Sequence, residues 1–110
     1  MNNEEISIER AAQLLNQQGG LFTEIFKHGS LVVEFYKPDN IDLQQPHDRD
    51  EIYVIASGAG TFYKEGIPWK FKFGDFIFVA AGAEHHFEDF TDDFATWVFF
   101  YGLTGGEGNT

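Results

Sequence analysis

The chain has 110 residues, a formal net charge of −11 and no cysteine. Without cysteine it has no disulfides, no thiolate zinc site and no cysteine nucleophile. Seven basic residues against 18 acidic ones disfavour contact with phosphate backbones and anionic lipid, so neither a nucleic-acid partner nor a membrane partner is expected. Hydrophobic residues are 43% of the chain and aromatic residues 17%, which indicates one folded domain over residues 1–110.

The N-terminal residues are polar and acidic, unlike a signal peptide, and no apolar stretch approaches membrane-spanning length. A cytoplasmic location is therefore the expectation. Ser7 is a good N-cap, and Gly19–Gly20 ends the periodic pattern that follows it, which predicts one short helix over about residues 7–18. The apolar stripe of this helix consists of Ile8, Ala12 and Leu15.

From residue 21 onward the sequence reads as short strands separated by turns, with Glu65-Gly66 as a two-residue hairpin signal. This spacing predicts an all-β sandwich or barrel over about residues 21–103 rather than α/β units. The glycine-rich tail, residues 104–110, is expected to be loose. The eight predicted strands are 21–27, 31–37, 51–56, 61–64, 69–73, 76–79, 85–90 and 94–101.

Two strands allow a prediction of which faces are buried. Trp69, Phe71 and Phe73 alternate with lysines, which predicts one buried face and one wet face. The short apolar run Phe76–Val79 is typical of a strand buried on both faces.

A candidate metal site begins at Gln45 and His47, which leave an extended strand on the same face about 7 Å apart. Glu51 has the same parity, but a straight strand would carry it about 13 Å beyond His47, too far for a shared ion. The turn-forming residues 48–50 can fold Glu51 back. With His85 from another strand, the set becomes two imidazoles, a carboxylate and an amide oxygen, which suits a first-row transition metal better than calcium.

Two segments resemble the paired motifs of the cupin family. Glu51, six residues and Gly58 are similar to the end of the first cupin motif, and Gly74, five residues and Ala80–His85 are similar to the second. The resemblance covers about residues 45–89. It implies a double-stranded β-helix, or jelly-roll, cupin barrel with the short helix at its N-terminus.

The motifs depart from the usual cupin pattern at three positions: Gln45 replaces the first histidine, Ala80 a proline and Asp89 an asparagine. A glutamine oxygen is a weaker donor than imidazole, so metal affinity should fall. The pair Gln45-Pro46-His47 is similar to that of the type I phosphomannose isomerases, which are also cupins.

What the resemblance implies is one divalent transition metal (zinc, iron, manganese, nickel or cobalt) at the mouth of the barrel. Its expected ligands are Gln45, His47, Glu51 and His85, beside an apolar pocket for a small molecule. His86 has the opposite parity to His85 and is expected to face away.

Four further residues are candidates for the chemistry. Tyr53 shares the face of Glu51 and is the candidate proton donor, and Phe87 shares the face of His85. Arg49 can hold a substrate carboxylate or phosphate bidentately, although pairing with a neighbouring aspartate is the favoured alternative. Trp97 is the remaining substrate-binding candidate, with core packing as the favoured alternative.

Three functions stay open at this point. The first is a metal-dependent isomerase, lyase or oxygenase acting on a small polar or carbonyl-bearing metabolite. The second is a non-catalytic binding or sensor module, and the third is a barrel that has lost its metal and serves association. The many aromatic residues also predict a homodimer, formed through an edge or a sheet face.

Overall fold

The computed structural model describes residues 5–42 and 45–107, which form one helix and eight strands. In chain order they are α1 Ile8–Gln18, β1 Phe22–His28, β2 Leu31–Tyr36, β3 Asp50–Ser57, β4 Ala59–Lys64, β5 Ile67–Lys72, β6 Phe76–Val79, β7 His85–Glu88 and β8 Ala95–Tyr101. Within this part of the chain, no helix has the length and apolar character needed to cross a membrane.

The strands form two antiparallel sheets, a five-stranded sheet β1-β2-β8-β3-β6 and a three-stranded sheet β5-β4-β7. Apart from the β1–β2 and β4–β5 hairpins, paired strands are distant in sequence, as in a jelly roll, so the predicted fold class is confirmed. The hairpin turn is also confirmed, because Lys64 pairs with Ile67 across Glu65 and Gly66, whose φ angles are both positive.

Helix α1 is closed at both ends by the residues that the sequence indicates. The Ser7 hydroxyl accepts a hydrogen bond from the Arg10 N–H at 3.0 Å, and Gly19 adopts a left-handed conformation whose N–H bonds the Leu15 carbonyl. The buried face of the helix differs slightly from the predicted stripe. Ala11 and Leu15 are buried, whereas Ile8 is 41% exposed. Their partners on the outer face of the large sheet are Phe35, Ala56 and Ala95.

The barrel interior is built from alternate residues of each strand. Glu51 lies opposite Phe100 and Tyr53 opposite Val98, so all four side chains share the inner face. A cluster of aromatic rings fills one end of the interior, with neighbouring ring centroids 4.8–5.9 Å apart. Its members are Tyr53, Phe62, Phe71, Phe87 and Phe94.

The predicted burial of β5 and β6 is wrong in part. Phe71 is buried, but Trp69 is 49% exposed and Phe73 is 64% exposed. Phe76 and Phe78 are also exposed, so β6 is buried on one face only. Each of these strands is one of the two edges of its sheet, and Phe76 and Phe78 lie on the outer face of β6, whereas helix α1 packs mainly on β1 and β2.

Residues 104–107 fold back onto the barrel rather than forming the loose tail that the sequence predicts. Gly105 donates its N–H to the Asp48 carbonyl at 2.6 Å, and Glu107 donates its N–H to Asp50 Oδ2 at 2.8 Å. The remainder of the predicted tail, residues 108–110, lies outside the described residues.

Candidate metal centre

Three of the four predicted ligands converge at one mouth of the barrel. Nε2 of His85 lies 3.2 Å from Oε1 of Glu51, and Nε2 of His47 lies 3.9 Å from the same oxygen. One ligand atom from each residue lies within 4.8 Å of the others. Glu51 and His85 are buried and His47 is partly exposed, so the cluster is at the boundary between core and solvent.

The sequence brings His47 near Glu51 by bending the chain between them. Residues 48 and 49 form a bend before β3 begins at Asp50, as the turn-forming composition predicts. The bend is tied to the loop before β7, because the Gly82 N–H donates to the His47 carbonyl at 2.7 Å. Gly82 has φ +83°, a conformation that favours glycine.

Asp50 also connects the start of β3 to the loop before β7 and to the C-terminal residues. Its carboxylate accepts hydrogen bonds from the N–H groups of Ala81 and Glu107. These bonds, first that of Glu107 and then that of Ala81, hold the pKa of Asp50 below its ordinary value. An ionised Asp50 therefore links the strand that carries Glu51 to the loop that leads into His85.

The orientation of His85 is set by its neighbours on both sides of the ring. Its Nδ1 lies 2.9 Å from the Ala83 carbonyl, an acceptor only, so Nδ1 carries the proton. Nε2 then points into the cluster with its lone pair, 3.1 Å from the Tyr53 hydroxyl and 3.2 Å from Glu51. A metal-binding histidine is typically held in this way by a carbonyl behind it.

The pKa of His85 reflects two opposed effects. Burial lowers the pKa of His85, but the Glu51 carboxylate 3.2 Å from its Nε2, the Ala83 carbonyl that accepts from its Nδ1, and the charge of Asp42 together raise the pKa above its ordinary value. The site thus attracts a positive charge to the position between Nε2 and the carboxylate, which is either a proton or a cation.

The ligand atoms also pass a test of fit for a metal. Both carboxylate oxygens of Glu51 and Nε2 of His47 are buried without a hydrogen-bond partner in the described part of the chain. Leaving such groups unsatisfied is costly. An ion about 2.1 Å from each ligand needs ligand atoms about 3 to 4 Å apart, which is the spacing of both contacts to Glu51.

A cavity of about 580 Å³ opens beside the cluster and has mostly apolar walls. Its polar lining comes from two residues of β2, Glu34 and Tyr36, and from four residues in or near the bend before β3: His47, Asp48, Arg49 and Glu51. Apolar side chains supply most of the remaining wall: Leu21, Phe22, Ile41, Val98 and Phe100.

The β2 residues were not among the sequence-predicted site residues. Burial, and then the charges of Glu51 and Glu24, raise the pKa of Glu34. Burial and a hydrogen bond to the Asp42 carboxylate raise the pKa of Tyr36. The available signal was a polar residue on alternate positions of an otherwise apolar strand.

Gln45, the fourth predicted ligand, is exposed and lines a second cavity of about 730 Å³ together with His85 and His86. Its role as a ligand stays a prediction. His86 faces away from the cluster, as expected from its parity, stacking on Tyr63 and bonding Glu88.

Of the remaining predicted site residues, one lines the cavity and two are buried in the core. Arg49 lines the cavity, and its guanidinium donates to the Ser30 carbonyl. Among the described residues it forms no ion pair with a neighbouring aspartate, the arrangement that the sequence favoured. Tyr53 is fully buried beneath His85, and Phe87 belongs to the aromatic cluster.

Trp97 is a correction to the predicted substrate-binding set. It lies opposite Phe35 and Val54, on the outer face of the five-stranded sheet, and packs edge-on against Phe35 at 5.2 Å. Glu51 lies on the inner face. Strand parity therefore places the Trp97 ring on the other side of the sheet from the cavity, where packing is its role.

Comparison with known proteins points to one family. The cupin domain model matches residues 32–101. An uncharacterized protein of Streptomyces coelicolor is 27% identical over 99 residues, which are 88% of this chain and 90% of that protein.

Two crystal structures illustrate the similarity of fold. A cupin protein from Bacteroides fragilis is 20% identical with a TM-score of 0.58, over 76% of this chain and 75% of that one. The DMSP lyase DddQ from Ruegeria pomeroyi is 26% identical with a TM-score of 0.62, over 74% of this chain. The match spans 46% of the lyase.

Proposed function

This chain belongs to the cupin family, and on that premise we propose that it is a metal-dependent enzyme acting on a small polar or carbonyl-bearing metabolite. The observation that carries the proposal is the cluster of His47, Glu51 and His85. Their buried ligand atoms lie within 4.8 Å of one another and adjoin a cavity of about 580 Å³. A few convergent polar groups in an apolar cavity are typical of a small-molecule site.

The proposed cofactor is one divalent transition metal held by His47, Glu51 and His85, with Gln45 as a proposed fourth ligand. Nitrogen and oxygen donors of this kind suit zinc, iron, manganese, nickel or cobalt. When bound, such an ion polarises a carbonyl or hydroxyl oxygen of the substrate as a Lewis acid.

Two side chains in the cavity wall have proposed roles in binding the substrate and in moving a proton. Arg49 has its Nε buried without a hydrogen-bond partner among the described residues, so it can bind an acidic or carbonyl group of the substrate. Glu34 faces the same cavity with a raised pKa, which makes it a better candidate for moving a proton than the predicted Tyr53.

Tyr53 has a different proposed role. Its hydroxyl contacts Nε2 of His85 and its ring packs within the aromatic cluster, with no part of the side chain in the wall of the cavity. We therefore assign Tyr53 to positioning His85 instead of proton donation to substrate.

Redox-neutral chemistry is the favoured branch. Glutamine in place of the usual first histidine weakens the donor set that an iron oxygenase uses, and the 26% identical DddQ is a lyase. The alternative function is a non-catalytic binding or sensor module. Turnover under air that requires ferrous iron would instead support the oxygenase branch, and a ligand recovered unchanged would support the module.

The test is metal binding to the purified protein and three variants, measured by elemental analysis and calorimetric titration. His47→Ala and His85→Ala should lose most of the bound metal, because each removes one of three ligands. His86→Ala is the matched control, since it alters the neighbouring imidazole that faces away, and it should bind metal like the original chain. Less than about a tenth of an equivalent of any transition metal after supplementation would contradict the proposal.

A further inference from the structure

Tyr36, in the wall of the cavity, is paired with a buried carboxylate that has no role in the proposed metal chemistry. The Tyr36 hydroxyl donates a hydrogen bond to Oδ1 of Asp42 at 2.5 Å. Oδ2 of Asp42 accepts a second hydrogen bond, from the Phe87 N–H at 2.8 Å. The Asp42 carboxylate is therefore held in place by β7 and in turn holds the hydroxyl of Tyr36 on β2.

The hydrogen bond to Asp42 decides what the Tyr36 hydroxyl can offer to a ligand. A tyrosine hydroxyl has one proton, and an ionised aspartate only accepts hydrogen bonds, so the proton points at Asp42. Burial and the Asp42 carboxylate raise the pKa of Tyr36, so the hydroxyl keeps this proton at neutral pH. Toward the cavity Tyr36 has only lone pairs left, and a ligand group that bonds it must be a donor.

The other end of the cavity has the opposite polarity. The Arg49 guanidinium donates to the carbonyl of Ser30, just before β2, whereas Tyr36 lies six residues further on, about 20 Å along the backbone. Nε of Arg49 is buried without a hydrogen-bond partner among the described residues. Because a guanidinium only donates, this end suits an acceptor, and a carboxylate fits it best.

The wall between these two ends is apolar. Val98 lies opposite Glu34, in the middle of β2, and the rim beside Tyr36 carries two large exposed residues. They are Phe22, which pairs with Tyr36 and is 55% exposed, and Ile41, which is 63% exposed. Since a water molecule takes about 30 Å³, the cavity of about 580 Å³ has room for a ligand of about ten non-hydrogen atoms.

We propose that Tyr36, oriented by Asp42, makes the cavity selective for a hydroxy acid with an apolar body. The ligand hydroxyl donates to Tyr36 and its carboxylate bonds Arg49, so Tyr36 determines specificity and Asp42 is a positioning residue. A keto acid of the same shape binds less well, because its carbonyl oxygen meets the lone pairs of Tyr36 with no proton between them. Because this cavity adjoins the proposed metal centre, the proposal rests on the proposed function and narrows its substrate class.

The test is calorimetric titration of the zinc-loaded full chain with three acids that share one apolar ring. They are 4-hydroxycyclohexanecarboxylate (both isomers), 4-oxocyclohexanecarboxylate and unsubstituted cyclohexanecarboxylate. The tighter isomer of the hydroxy acid should bind at least about tenfold more tightly than the oxo acid, because only the hydroxyl can donate to Tyr36. The unsubstituted acid should lie between them.

Tyr36→Phe removes the hydroxyl alone, so the hydroxy and oxo acids should then bind within about threefold of each other. Tyr63→Phe is the matched control, since it makes the same change at another half-buried tyrosine, one that stacks on His86 and faces away from this cavity. The control should keep the preference of the original chain.

Asp42→Asn tests the positioning role, which a merely structural residue would not have. The amide oxygen can still accept from the Phe87 N–H, which leaves the amide nitrogen to donate to the Tyr36 oxygen. The Tyr36 proton is then free to point into the cavity, so the oxo acid should gain affinity relative to the hydroxy acid. If this variant does not fold, Tyr36→Phe with its control decides alone.

Three results overturn the proposal. The first is equal affinity of the original chain for the hydroxy and oxo acids, and the second is no binding of any of the three. The third is a preference that persists in Tyr36→Phe, which would assign recognition of the hydroxyl to the metal or to Glu34. Zinc content is measured separately: a chain that binds no metal contradicts the proposed function, whereas a zinc-loaded chain without the preference contradicts only the role of Tyr36 and Asp42.

Discussion

The two ends of the barrel interior are built from opposite chemistry. At one end, the rings of Phe71, Phe87 and Phe94 pack with centroids about 5 Å apart and leave no exposed surface beyond 3%. At the other end, Glu51 and His47 hold buried polar atoms that lack partners in the described chain. The first end stabilises the fold through apolar burial. At the second end the unpaired polar atoms destabilise the fold, and a bound cation would satisfy them.

The junction between the two ends is Tyr53. Its ring contacts Phe62 and Phe87 in the aromatic cluster, and its hydroxyl contacts His85 at 3.1 Å. The aromatic cluster therefore contacts the polar end directly, through Tyr53. This division of labour is common in proteins, where local rules of good packing are broken at functional sites.

The largest expected effect is at the packed end. Phe94→Ala should lower the free energy of unfolding by about 3–5 kcal/mol, because it opens a cavity among closely packed rings. Denaturant unfolding measures the loss. Leu103→Ala, at a position that is 69% exposed, is the control and should change stability by less than about 0.5 kcal/mol. A loss below about 1 kcal/mol in Phe94→Ala would show that the cluster is loosely packed.

An opposite and smaller effect is expected at the polar end. In metal-free protein at about pH 9, Glu51→Gln should raise the free energy of unfolding by about 1–2 kcal/mol, since it removes a buried unpaired charge. The same change should abolish stabilisation by added metal. Glu65→Gln, at an exposed turn position, is the control. If the metal-free Glu51→Gln protein is less stable than the original chain, the conclusion that the Glu51 carboxylate is buried without a partner is wrong.

The smallest expected effect is a difference between metal-free and metal-loaded protein in how the free energy of unfolding depends on pH. The pKa of His85 is raised in the folded chain, so its contribution to metal-free stability is complete below about pH 6.5 and is lost as pH rises through the raised pKa. Metal binding requires the neutral imidazole, so the stabilisation by metal should grow over the same range. Thermal unfolding from about pH 6 to 9 measures both slopes, and parallel slopes would contradict a shared position for proton and metal.

Much of the fold follows from local pattern. Ser7 and Gly19 bound the helix as capping chemistry requires, and eight runs of β-forming residues became the eight strands. The proximity of His47 and Glu51 follows from the turn-forming residues between them, and His85 was indicated by the second of the paired motifs. These features depend on neighbours in sequence or on paired motifs.

Other features depended on the order of strands. Trp69, Phe76 and Phe78 have the apolar character of core residues, yet they are exposed, because β5 and β6 became sheet edges and helix α1 packs mainly on β1 and β2 at the opposite edge of the large sheet. The cavity residues Glu34 and Tyr36 were missed because nothing near them in sequence shows that β2 lies two strands away from β3.

The sequence by itself determined the strands and the helix, because backbone propensity, capping and side-chain parity act over a few residues. The paired motifs that resemble those of cupins indicated three side chains that converge, those of His47, Glu51 and His85. Only the tertiary structure decided which apolar faces are covered, which carboxylate joins Glu51 at the cavity, and that Trp97 faces away from it. Those outcomes depend on contacts between residues far apart in the chain, and local preferences do not specify which strands become neighbours.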